Sequence, residues 1–143
     1  MLTVTSINKG IVIDHIKAGL GIKLFHHLRL DKAEFPVALI SNCASKKLGK
    51  KDIIKIQNLI ELDFKELGLI DPGLTISIIE NNETIKKFKL ELPEKVEDVL
   101  FCKNPRCITS IERNIVHVFQ LVDRASATYK CEYCEETQNR MEL

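Results

Sequence analysis

No apolar run in this chain approaches the ~20 residues that a membrane-spanning helix needs. Its first residues, MLTVTSINKG, lack the charged start and apolar core of a signal peptide. Both absences point to a cytoplasmic protein with no membrane partner, in a compartment where disulfides are rare. A basic excess is missing too: 21 Lys and Arg face 20 Asp and Glu, for a net charge of +1. Generic nucleic-acid binding shows as a basic surface with interleaved aromatics, so no nucleic-acid partner is expected. There is no P-loop, no G-x-G-x-x-G, no repeat and no low-complexity segment. No nucleophile–base pair stands out, so no catalytic activity of its own is expected.

What is present is a globular composition, 45% hydrophobic and 29% charged, in 143 residues. That length suits one ordinary domain or two small ones. Four of the five cysteines fall in the last third, as C-x4-C (Cys102, Cys107), a 23-residue spacer, then C-x2-C (Cys131, Cys134). Two short thiolate knuckles can meet on one tetrahedral ion at ~2.3 Å per sulfur, which makes one structural Zn2+ per chain the expected cofactor. Iron would fit the same ligands. A redox C-x-x-C would leave Cys102 and Cys107 idle, and disulfides would suit a secreted domain. His117 lies outside both knuckles, so the site has no vacancy for catalysis. Cys43, alone in VALISNCAS, reads as a small buried hydrophobe.

Upstream, residues 2–13 read as one or two strands broken near Lys9-Gly10, and residues 18–30 as a helix. Residues 35–43 read as a strand, and 50–60 as another through their isoleucines. Residues 63–69 form a short helix with Asp63 as N-cap. Residues 74–80 are a strand, Asn81-Asn82-Glu83 a hairpin-like turn, and 84–90 a possible return. The order β-α-β-β-α-β predicts an α+β, ferredoxin-like sandwich, an antiparallel sheet with two helices. Residues 91–100, charged and carrying Pro93, read as a connector to a small all-β zinc-binding domain. The expected domains are 1–92 and 93–143.

Two further groups invite a ligand. In GIVIDHI, Asp14 and His15 end an apolar strand; they face opposite sides unless the chain turns there, and a turn or cap is the simpler explanation. Lys51 and Lys55 share a strand parity and sit ~13 Å apart, the scale of an extended nucleoside triphosphate. A solvated edge that carries lysines against aggregation is the simpler alternative.

Taken together, GIVIDHI, GKKDIIKIQN, LPEKVEDVLFC and C-x4-C…C-x2-C closely resemble the aspartate carbamoyltransferase regulatory chain family over nearly the whole sequence. The resemblance implies an allosteric domain followed by a zinc domain. In that family the first domain binds nucleoside triphosphates, with CTP and UTP inhibiting and ATP activating, in control of pyrimidine biosynthesis. Regulatory chains pair as homodimers, and the zinc domain docks on the catalytic chain. By position, the resemblance assigns nucleotide contacts to Asp14, His15, Lys51, Lys55 and Lys87. His15 and Lys87 would face phosphates, Lys55 the ribose, and Lys51 the phosphates or a second nucleotide. Val4, Thr5, Ser6, Ile7, Val12 and Ile79 would line the base. Ser77, Asn82 and Thr84 depart from the Asn, Tyr and Val of the family's best-known pattern. Asn104, Arg106, Tyr133 and Glu135 are candidates for the catalytic-chain interface. The alternative is a stand-alone zinc-ribbon adaptor for another protein or nucleic acid.

Overall fold

The computed structural model describes residues 8–140. They form two compact units. The first contains the described residues up to Leu62 together with Gly73–Leu90. The second contains Asp63–Pro72 and the described residues from Glu91 onward.

In the first unit, strand β1 (Gly10–Lys17) leads to helix α1 (Leu20–His27) and a short 3-10 turn at Leu30–Lys32. Strands β2 (Val37–Ser45) and β3 (Gly49–Ile56) follow, and later β4 (Thr75–Glu80) and β5 (Glu83–Lys89). The sheet order is β2-β3-β1-β4-β5, antiparallel throughout. Its first four strands follow the ferredoxin-like order, with β5 added at the edge. Alternation builds the core. Ile11 and Ile13 of β1, Ile54 and Ile56 of β3 and Ile76 of β4 are buried on one face, which α1 covers with Leu24. The opposite face carries Val12, Asp14, Lys51, Lys55, Thr75 and Ser77, all only half-buried. Asn81 and Asn82 both adopt positive φ, 51° and 63°, so the β4–β5 hairpin closes on a two-residue turn that suits asparagine.

The second unit begins with helix α2 (Phe64–Ile70), capped as expected by Asp63, whose carboxylate accepts from the amides of Lys65 and Glu66. Leu69 of α2 joins a core with Leu92, Val96, Leu100, Phe119 and Tyr129. Gly68 permits this packing, because a Cβ there would strike the carbonyl of Glu91. Strands β6 (Lys95–Glu97), β7 (Val118–Asp123), β8 (Thr128–Cys131) and β9 (Thr137–Asn139) form a sheet in that order, and α3 (Ile108–Ile111) is a single turn. The fold class is thus the expected one. Residues 95–97, read from sequence as connector, are a strand: Val96 points into the core while Lys95 and Glu97 stay exposed. Tyr129 fixes the segment before it by donating to the Pro93 carbonyl at 2.5 Å. Burial pushes the Tyr129 phenol up to about 12, against the pull of Arg124, so it stays a donor.

Candidate functional site

The second unit brings Cys102, Cys107, Cys131 and Cys134 together, their sulfurs all within 4.8 Å of one another. Cys102 and Cys134 are 3.5 Å apart, Cys107 and Cys131 3.8 Å. Sulfurs at ~2.3 Å from a tetrahedral ion lie ~3.8 Å apart, whereas a disulfide closes to ~2.05 Å. The thiols are therefore spaced as ligands of one ion, and all four are free cysteines. Four sulfurs fill a tetrahedron, so zinc here is structural, tying the knuckles into one rigid piece.

Local backbone shapes both knuckles. The Asn104 carbonyl accepts from the Cys107 amide at 3.0 Å and its side chain from the Arg106 amide at 3.1 Å. Glu135, at φ 65°, turns its amide onto the Cys131 carbonyl at 3.0 Å. His117 is not a ligand; its Nδ1 accepts from the Cys102 amide at 3.2 Å. Burial pushes the Cys102 thiol up to about 12 and raises that of Cys131. Burial acts the same way on Cys107, but the Thr109 hydroxyl, 3.0 Å away, and the Thr109 amide overcome it and bring this thiol down to about 7. Metal binding must strip protons from all four.

In the first unit, cross-strand pairing sets Lys55 beside Val12, Val12 beside Ser77, and Ser77 beside Lys87. These four form one row across the open sheet face. The next row holds Asp14, Thr75 and Lys89. A β-bulge between Ile13 and Ile16 puts His15 at φ 57°. The extra residue lets Ile16 return to the core while Asp14 and His15 both stay on the open face. There Asp14 accepts from the His15 amide at 2.6 Å and pairs with Lys51 Nζ at 3.0 Å, and the His15 ring meets the Thr75 hydroxyl at 3.1 Å. Burial raises the Asp14 pKa, but the hydrogen bonds and charge of Lys51 and the His15 amide outweigh it and leave the carboxyl below its ordinary 3.8. Ile79 pairs with Gly10 at the far end of the same face. The face thus gathers Val12, Asp14, His15, Lys51, Lys55, Ile79 and Lys87. Val4, Thr5, Ser6 and Ile7 lie outside the described residues. Thr84 sits opposite Ile79 on β5, and Asn82 is in the hairpin turn.

Residues 2–91 match the family described as aspartate carbamoyltransferase regulatory chain, allosteric domain, and residues 94–143 its metal binding domain. The chain belongs to the aspartate carbamoyltransferase regulatory chain family. It is 63% identical over 137 residues to the regulatory chain of Clostridium tetani, covering 95% of each chain. It is 59% identical over 136 residues to that of Clostridium botulinum, covering 95% of this chain and 93% of the relative. The Bifidobacterium longum regulatory chain is 39% identical over 135 residues, 94% of this chain and 97% of the relative. The four thiols fall within the matched metal binding domain, and the basic face within the allosteric one. Members of the family are named as regulatory rather than catalytic chains, in keeping with the lack of a nucleophile–base pair in the sequence. No helix of the described residues is long and apolar enough to cross a membrane.

Two features escaped the sequence reading. The first is the form of the irregularity at Asp14-His15: a turn or cap ending the strand was expected there, and the structure has a bulge with β1 running on to Lys17. The second is Asp52, a carboxylate 1% exposed on the core side of β3. An Asp among isoleucines was its one available signal, since a buried charge must find partners.

Proposed function

We propose that this chain is the effector-sensing subunit of an aspartate carbamoyltransferase. The single observation that carries the proposal is the gathering of Lys51, Lys55, Lys87, His15 and Asp14 on one open sheet face. Lysines bind phosphates as point charges, and the row from Lys55 to Lys87 suits a ligand with charge at one end and a flat apolar base near Val12 and Ile79. Nucleoside triphosphates have that chemistry. His15 and Lys87 take the phosphates, Lys55 the ribose, and Lys51 the phosphates or a second nucleotide. CTP and UTP inhibit and ATP activates, in service of pyrimidine biosynthesis in the cytoplasm.

The zinc-bound unit is the foot that docks on the catalytic chain. Exposed Phe101, Ile108, Ile111 and Tyr133, with Arg106 and Glu135, lie in or beside its knuckle segments and suit a protein partner. Regulatory chains pair as homodimers through their first units. Effector bound on the sheet face favours one quaternary state by differential binding, a coupling of typically ~1–3 kcal/mol. The test is calorimetry of CTP and ATP on the full chain, alongside carbamoyltransferase activity of the reconstituted complex. Saturable binding with an activity change in the complex supports the proposal; absence of binding by either nucleotide refutes it.

A further inference from the structure

Asp52 lies back to back with the effector face. On β3, Lys51 and Lys55 point to the open side, and Asp52 between them points to the buried side. Its carboxylate accepts three main-chain amides, each at 3.0 Å: Gly19 and Gly21 on Oδ2, Asn42 on Oδ1. Those amides come from two other elements. Gly19, at φ 95°, is the N-cap of α1 and, as a glycine, has no side chain to cap the helix. Asp52 supplies that cap from across the sheet. Asn42, at φ 61°, is the centre of a second bulge, in β2 between Ile40 and Cys43.

The two bulges flank the same place on β3. Past the β1 bulge, Ile16 pairs with Asp52 and Lys17 with Lys51. Past the β2 bulge, Cys43 also pairs with Lys51. A bulge leaves amides outside the ladder, and each needs another acceptor to the extent that it is shielded from water. Asp52 satisfies the one at Asn42 and ties down the chain that leaves β1 for α1. Without it the Asn42 bulge loses the acceptor of its free amide, and the chain that follows the β1 bulge loses its tie to β3. A one-residue slip would turn side chains to the other face, taking Asp14, His15 or Lys51 off the effector side.

We propose that Asp52 is the positioning residue of the effector face: its carboxylate holds the β2 bulge at Asn42 and the entry to α1 just past the β1 bulge, and so keeps Lys51 in register with Asp14 and His15 for a phosphate. This rests on reading that face as the nucleotide site. Both carboxylate oxygens are used, so Asn cannot replace Asp. The amide NH2 would meet one of the donating amides head-on. Access from the other side is also tight, since a Cβ on Gly21 would stand 2.6 Å from Asp52 Oδ2 and 2.7 Å from its Cβ. Gly21→Ala favours the helix yet must displace the carboxylate, and so disturbs the same device while Asp52 and the residues of the open face keep their identity.

The experiment measures ATP and adenosine affinity of the full zinc-loaded chain by calorimetry, with adenosine read by competition. Asp52→Asn and Gly21→Ala should each weaken ATP by roughly tenfold or more, the size of one lost charge-assisted contact, and leave adenosine unchanged. Leu24→Ala, a core truncation in α1, should lower the melting temperature and leave both affinities unchanged below it. If Lys51→Ala weakens ATP while Asp52→Asn and Gly21→Ala bind it as the unaltered chain does, the positioning role is wrong. Equal weakening of ATP and adenosine also overturns it, because that is what general loosening of the unit does. If the unaltered chain binds no ATP, the nucleotide reading falls and this inference with it.

Discussion

Replacing Lys55 and Lys87 with alanine, singly and together, probes whether the row across the sheet reads one extended ligand at separate points. The register puts three strand spacings between them, ~14 Å at ~4.8 Å each. A charge-assisted contact is worth about 1.5–3 kcal/mol. Lys55 is half-buried and Lys87 exposed, so Lys55 should fall nearer the upper figure and Lys87 nearer the lower. Sites more than ~10 Å apart with no shared protein partner add to within about 0.5 kcal/mol, so the double variant should lose close to the sum. Salt separates them further: screening over ~8 Å at physiological ionic strength erodes the exposed Lys87 contact more. Calorimetry with CTP and ATP at two salt concentrations reads all of this. A double variant no worse than the weaker-binding single one would refute the reasoning, because two lysines at opposite ends of the row cannot share one contact.

Three other outcomes follow from local geometry. The Asp14–Lys51 pair, with side chains 26% and 17% exposed, should show a coupling of about 1 kcal/mol in a double-mutant cycle by denaturant melts. Since the Asp14 pKa is lowered in the fold, that stabilisation is present above 3.8 and is lost as pH falls through the lower folded value. Coupling that grows rather than fades as pH falls below 3.8 would contradict it. Asp63→Ala removes the α2 cap and should cost about 1 kcal/mol, read as a lower unfolding midpoint, with an unshifted midpoint counting against the cap.

Much of the site was legible because its chemistry is local in sequence. Cys102 and Cys107 sit in one short loop and Cys131 and Cys134 in another, so spacing alone announced a shared ion. The isoleucines at 53, 54 and 56 marked β3, and Asp63 and the Asn81-Asn82 pair announced a cap and a hairpin turn. What escaped depends on distant partners. The burial of Asp52 depends on amides 10 to 33 residues away, at Asn42, Gly21 and Gly19; the bulge at His15 depends on its pairing with β3 and the Thr75 hydroxyl. The strand at Lys95–Glu97 was hidden because three residues with one inward valine carry too little periodicity beside Pro93. Nor could α2's place be read: its apolar face fits any core, and only tertiary packing assigns Leu69 to the second unit.

On the reading proposed above, one zinc ion holds the second unit in the shape that grips the catalytic chain. Sedimentation of the chain mixed with catalytic trimer, before metal removal, after it, and after zinc is restored, tests this most directly. The complex should dissociate when the four thiols lose their ion and re-form when zinc returns, with CTP binding to the first unit largely retained throughout. A complex that stays intact with its metal removed would contradict the claim.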